Sequence, residues 1–122
     1  MSVEAYMKRL LSFPGAELSF PFGPEAHVFK VKNKMFALLM ERDGKWCANL
    51  KGLPDDNRAL VESFAWAQPG YHMNKRHWVT VTLSEMPENI WEALSAESYG
   101  LVVDKLTKAQ RQSLADESHA SN

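Results

Sequence analysis

The spacing of apolar positions changes several times along the chain, and each change marks an element. Val3, Tyr6, Met7, Leu10 and Leu11 recur at i, i+3, i+4, i+7 and i+8. That is one helical stripe, which Ser2 can cap and Pro14-Gly15 ends. Phe20-Pro21-Phe22-Gly23-Pro24 is an aromatic loop whose prolines exclude a helix. Three strands are then predicted, near 27–32, 35–41 and 45–51. Lys32-Asn33 or Asn33-Lys34 forms a two-residue hairpin, and in either register Phe29, Val31, Phe36 and Leu38 share a face. The next turn has two readings. A two-residue Asp43-Gly44 loop sets Cys47 and Asn49 beside Met40 and Leu38. A three-residue Arg42-Asp43-Gly44 loop with a glycine bulge sets Trp46, Ala48 and Leu50 there instead, and is preferred because it makes one apolar face. Lys30, Lys32, Asn49 and Lys51 then point to the other face.

Leu53-Pro54-Asp55-Asp56 opens a second helix, with acids at its positive end and Leu60, Val61, Phe64 and Ala65 as its buried stripe. A loop over 67–76 leads to a strand at 77–83, in which Val79, Val81 and Leu83 face inward. Ser84 can cap a long helix starting near Pro87, and Thr107 with Gln110 forms a capping box for a last one. The order α-βββ-α-β(β)-αα, with an optional short strand near 70–73, predicts an α+β fold: a single antiparallel sheet with helices packed on one face. The other face keeps lysines, an asparagine, threonines and Trp78, interrupted by Ala37 and Leu39. Such a face binds something or is covered by another chain.

A chain of 122 residues fits one domain, expected over 1–115, with a polar tail over 116–122 that frays. No apolar run reaches the roughly 18 residues of a membrane span. The first residues lack a signal-peptide core, so a cytoplasmic location is expected. The single cysteine, Cys47, allows no internal disulfide, and its plain reading is a small buried strand residue. Net charge is −1 but unevenly spread: residues 1–53 carry eight cations and five acids, residues 54–122 six and ten. A local basic surface is compatible with that polarity.

The densest chemistry lies in Pro69-Gly70-Tyr71-His72-Met73-Asn74-Lys75-Arg76-His77-Trp78-Val79-Thr80-Val81. His72 and His77 with His27 or Cys47 make a poor zinc set, because the ligands straddle a loop and a strand. Glu85, Glu88 and Glu92 cluster at the start of the long helix, where acids suit the positive end of a solvated helix. Cys47 and His77 form a nucleophile pair only if distant strands meet, and the scattered glycines make no phosphate loop. No metal, no cofactor and no catalysis are expected.

His72-Met73-Asn74-Lys75-Arg76-His77-Trp78 resembles the core motif of the MmcQ/YjbR family, small bacterial domains. Pro21-Phe22-Gly23-Pro24, Val28-Phe29-Lys30-Val31 and Lys34-Met35-Phe36-Ala37 resemble that family's first hairpin, and Ser98-Tyr99 with Val102, Val103, Lys105 and Leu106 its long C-terminal helix. The resemblance covers residues 3–115. Lys32-Asn33 departs from it, since the family often has a glycine pair there. The resemblance implies a fold similar to secretion chaperones and to the frataxin-like CyaY fold, and a "double wing" DNA-binding role. In that role Lys75 and Arg76, extended by Lys30, Lys32, Lys34 and Lys51, meet phosphates; His72 and Asn74 meet base edges; Trp78 stacks; and His77 belongs to the same binding set. The plainer alternative is that His72, Asn74 and His77 only hold the loop. The rival function is a protein-interaction or chaperone-like module, homodimeric or bound to another protein, using Ala37, Leu39 and Trp78.

Overall fold

The computed structural model describes residues 1–120. Its elements are α1 (Val3–Leu11), β1 (Ala16–Ser19), β2 (His27–Val31), β3 (Lys34–Arg42), β4 (Lys45–Lys51), α2 (Pro54–Ser63), β5 (Ala67–Pro69), β6 (Trp78–Thr82), α3 (Glu88–Asp104) and α4 (Lys108–Ala120). The strands form one antiparallel sheet in the order β1-β2-β3-β4-β6-β5. The α+β expectation holds, with two differences. A first strand at Ala16–Ser19 precedes the three predicted ones, and the optional strand lies at Ala67–Pro69, ahead of the loop. The chain is helical through Ala120 where fraying was expected from Asp116; the final two residues of that expected tail lie outside the described residues.

Both tight turns have two residues. Lys32 and Asn33 have φ of 46° and 67°, Asp43 and Gly44 of 53° and 78°, the doubly left-handed geometry of twisted hairpins. Arg42 pairs with Lys45 and Leu38 with Asn49, so the preferred three-residue loop is incorrect. The error traces to Phe36. Phe29 pairs with Ala37 but Lys30 with Met35, leaving Phe36 as an extra residue in β3. A bulge inverts the inward–outward alternation beyond it. Ala37 and Leu39 therefore face the core, both fully buried, and Leu38 and Met40 face the opposite side. The outward Ala37 and Leu39 of the sequence reading are thus corrected, while Trp46, Ala48 and Leu50 keep their inward places.

A bulge leaves backbone groups without ladder partners, and burial makes that costly. Here α3 supplies the partner: the Ser98 hydroxyl donates to the Phe36 carbonyl and accepts from the Lys51 N–H at 2.9 Å. Ser98 is fully buried.

Helices α1 and α3 cover the core face. Ser2 caps α1 through the Ala5 N–H, Tyr6 meets Trp91 edge-on at 5.1 Å, and the Tyr6 hydroxyl donates to the Leu83 carbonyl. Helix α3 starts after Pro87, not at a Ser84 cap. The Thr107–Gln110 capping box is present, with bonds of 3.0 and 3.1 Å. Helix α2 packs at the β5–β6 edge. Its buried residue is Asn57; Leu60 and Val61 are half-buried, and Phe64 and Ala65 are exposed, contrary to the predicted stripe. Phe64 instead stacks on Trp66 at 4.6 Å.

Candidate functional site

The segment 70–77 is a loop held at nearly every residue. The Gly70 N–H donates to the Trp78 carbonyl at 3.2 Å, and the Trp78 N–H to the Asn74 carbonyl at 3.0 Å. A side chain at Gly70 would bring Cβ to 2.9 Å from the Trp78 Cβ and 3.0 Å from its carbonyl oxygen, so the close approach requires glycine. The Asn74 side-chain oxygen accepts from the N–H groups of Arg76 and His77 at 2.9 and 3.2 Å, a local turn typical of asparagine. His72 takes a left-handed φ of 58° and lies against Tyr71, ring centroids 4.0 Å apart. The Lys75 ammonium donates to the Gly70 carbonyl at 2.9 Å.

Three buried polar residues anchor this loop from beneath. Thr80 donates its hydroxyl proton to Asn49 and accepts from the Tyr71 N–H at 2.8 Å; the Asn49 amide donates to the Tyr71 carbonyl at 3.1 Å. Asn57 performs the same task at the other end. Its amide donates to the carbonyls of Gly52 and Arg76, at 3.1 and 3.0 Å, and the Gly52 N–H meets the His77 carbonyl. Burying such groups is tolerable because each is paired. Asn49, Asn57 and Thr80 are the residues sequence reasoning missed as determinants of the loop. The available signal was an amide inside an apolar strand and another, one helical turn ahead of Leu60 and Val61, on the face predicted to be buried.

The register sets the cations on the sheet. Lys30 pairs with Met35 and Lys51 with Trp78, and Lys34 begins β3. All three therefore lie at the end of the sheet where the 70–77 loop meets β6. Among the described residues neither Lys30 nor Lys34 forms an ion pair, although Glu17 stands opposite Lys30 in β1. Arg76 and His77 are exposed there, and their backbone, not their side chains, is tied down. Burial, and then the nearby Lys105, lowers the Lys51 pKa. Lys32 is directed elsewhere: its ammonium bonds Ser113 at 2.9 Å and Glu117 at 3.0 Å, tying the hairpin tip to α4. Trp78 is half-buried between hollows lined by Pro54 and Val61 on one side and Leu53 and Leu101 on the other.

The helix-free face is not flat. Two loops rise from it, the segment 20–26 and the 70–77 loop, and between them runs a cleft of about 390 Å³. Met35, Leu38, Met40 and Asn49 line it with Phe22 from one loop and Tyr71, His72 and Met73 from the other. Phe22 is 71% exposed. At the far end the Arg42 guanidinium lies 3.7 Å over the Tyr71 ring, a cation–π contact. His27 faces the core side between Phe20 and Trp46, while Cys47 faces the open side, so the two lie in different layers. Among the described residues no group of three or more His, Cys, Asp or Glu could hold a metal ion, and no helix is long and apolar enough to cross a membrane.

A single antiparallel sheet, helix-covered on one face and flanked by two loops on the other, with a serine-pinned bulge and an asparagine-anchored cationic loop, defines a small α+β class. The YjbR family model matches residues 11–101, and the chain belongs to that family. It is 41% identical over 109 residues to the uncharacterised protein YbdF of Escherichia coli O157:H7, covering 88% of this chain and 89% of YbdF. It is 29% identical over 115 residues to the uncharacterised protein YjbR of Escherichia coli K12, covering 93% and 98%. The crystal structure of Deinococcus radiodurans protein DR2400, of domain family DUF419, superposes with a TM-score of 0.85 at 36% identity, covering 93% of this chain and 88% of that one. A Pseudomonas syringae protein shares the fold, with a TM-score of 0.73 at 24% identity over 83% of this chain and 98% of its own.

Proposed function

We propose that this chain is a non-catalytic binding module that makes weak, salt-sensitive contact with nucleic acid through the cationic end of its sheet. The supporting observation is the register that gathers Lys30, Lys34 and Lys51 on adjacent strands beside the loop presenting Arg76 and His77. Strands β2 to β6 span about 14 Å at roughly 4.8 Å per step, enough for several phosphates. Lys75 contributes partly, since one of its protons is committed to Gly70. Lys32 leaves the track, because Ser113 and Glu117 hold it. With three or four usable cations against a net charge of −1, binding rests on a salt slope of about −2 to −3 on a single strand.

Titration of a short oligonucleotide by fluorescence anisotropy at several salt concentrations tests this. The expected result is measurable affinity at low salt, weakened uniformly across sequences when Lys30, Lys34 and Arg76 are replaced by Ala. An unchanged salt slope in that triple variant removes these residues from the interface. The apolar lining of the cleft favours a second reading, in which the open face holds a segment of a protein partner. An apolar peptide that binds where no oligonucleotide does would establish it.

A further inference from the structure

The cleft between the two loops is more than a neighbour of the cations. Its floor is thioether and aliphatic, Met35, Leu38 and Met40, and its walls are aromatic, Phe22 and Tyr71. A cation stands at each end: Lys30 is the cross-strand partner of Met35, and Arg42 lies over Tyr71. From Met35 to Met40 the strand runs about 16 Å at roughly 3.3 Å per residue. An occupant that is flat and apolar at its centre and anionic on both sides fits that charge and shape. About two or three nucleotides of a single strand have this form, their bases bearing π faces and the phosphates at either end the charge.

We infer that the cleft is a subsite for a short run of unpaired nucleobases, with the phosphates at its two ends meeting Lys30 and Arg42. This rests on the nucleic-acid reading above and adds to it a preference for single strands, because a base held in a duplex cannot enter. Phe22, largely exposed on a loop tip, supplies the stacking surface. Glu25, also lining the cleft, is a carboxylate acceptor. A carboxylate accepts from the exocyclic amine of cytosine, whereas thymine offers a carbonyl at that position. The site therefore selects cytosine over thymine.

Fluorescence anisotropy of the intact protein with oligodeoxycytidine, oligodeoxythymidine and a duplex at low salt tests the inference. The expected order is oligodeoxycytidine, then oligodeoxythymidine about tenfold weaker, then duplex about tenfold weaker again. Phe22→Ala is expected to lower single-strand affinity about tenfold and leave duplex affinity and the far-UV spectrum unchanged. Glu25→Gln is expected to erase the cytosine preference. Equal binding of single strand and duplex, with Phe22→Ala silent, overturns the base subsite while the phosphate contact stands. Absence of any oligonucleotide binding at low salt overturns both.

Discussion

Lys75 donates its ammonium to the Gly70 carbonyl at 2.9 Å, closing the 70–77 loop on itself. Among the described residues its neighbour Arg76 bonds the protein through its main chain, with its carbonyl held by Asn57 and its N–H by Asn74. Two adjacent cations thus divide between scaffold and surface, and substitution separates them. Lys75→Ala is expected to lower stability by about 1 kcal/mol, the range for a charge-assisted bond discounted for exposure. It also speeds amide exchange over residues 70–74. Arg76→Ala is expected to change stability by less than about 0.5 kcal/mol and to reduce the salt slope of binding by about one. Chemical denaturation with hydrogen exchange, and the salt titration, check the two halves. Equal stability losses in both variants would contradict the division.

Gly52 and Asn57 form a second coupled pair. A Cβ on Gly52 would lie 2.2 Å from the Asn57 side-chain oxygen, and the Asn57 amide holds two carbonyls. Gly52→Ala and Asn57→Ala are each expected to cost about 2 kcal/mol, through an overlap in one case and part-buried unpaired carbonyls in the other. Both act by dislodging the same amide. The double variant should therefore cost less than the sum by at least about 1 kcal/mol. Additive costs in a double-mutant cycle would show independent effects.

Thr80→Val keeps the side-chain shape but strands the Tyr71 N–H and the Asn49 oxygen, both bonded to the hydroxyl. The expected loss is about 2 kcal/mol, with nuclear magnetic resonance shifts concentrated in residues 70–73 rather than in the core strands. A neutral substitution would mean that the network does not anchor the loop.

Tyr6 and Tyr99 are expected to weaken the fold at alkaline pH. Burial, assisted by Glu88 for Tyr6 and Glu117 for Tyr99, raises both pKa values above the ordinary tyrosine range. The folded state then holds these protons more tightly than the unfolded state. Stability is unaffected below the unfolded pKa of about 10 and declines as pH rises from there through the raised folded values. Tyr6→Phe should flatten that decline, at the cost of the hydrogen bond to Leu83. Denaturation midpoints measured across the alkaline range check the sign; a midpoint rising above pH 10 would reverse it.

The fold class was legible because helix stripes, strand alternation and the capping signals at Ser2 and Thr107 all follow local rules. What escaped was parity. One extra residue at Phe36 turns Ala37, Leu38 and Leu39 to faces opposite those expected, and nothing in the chain before α3 announces it. The stabilising partner, Ser98, is 62 residues away. Strand β1 was missed because four residues, Ala-Glu-Leu-Ser in sequence, sit between two proline–glycine segments and gain strand character only by pairing with β2. The site was half legible. Composition marked residues 69–81, but which cation is free depends on loop closure, and the cleft depends on Phe22 and Met73 lining one hollow from two separate loops.

Residue-resolved chemical-shift mapping during titration with oligodeoxycytidine at low salt tests the nucleic-acid interface most directly. Saturable shifts are expected at Lys30, Lys34, Met35, Phe22 and 71–77, with the helical face of α1 and α3 silent. Shifts confined to the helices, or no saturable shifts at all, would contradict binding at this end of the sheet.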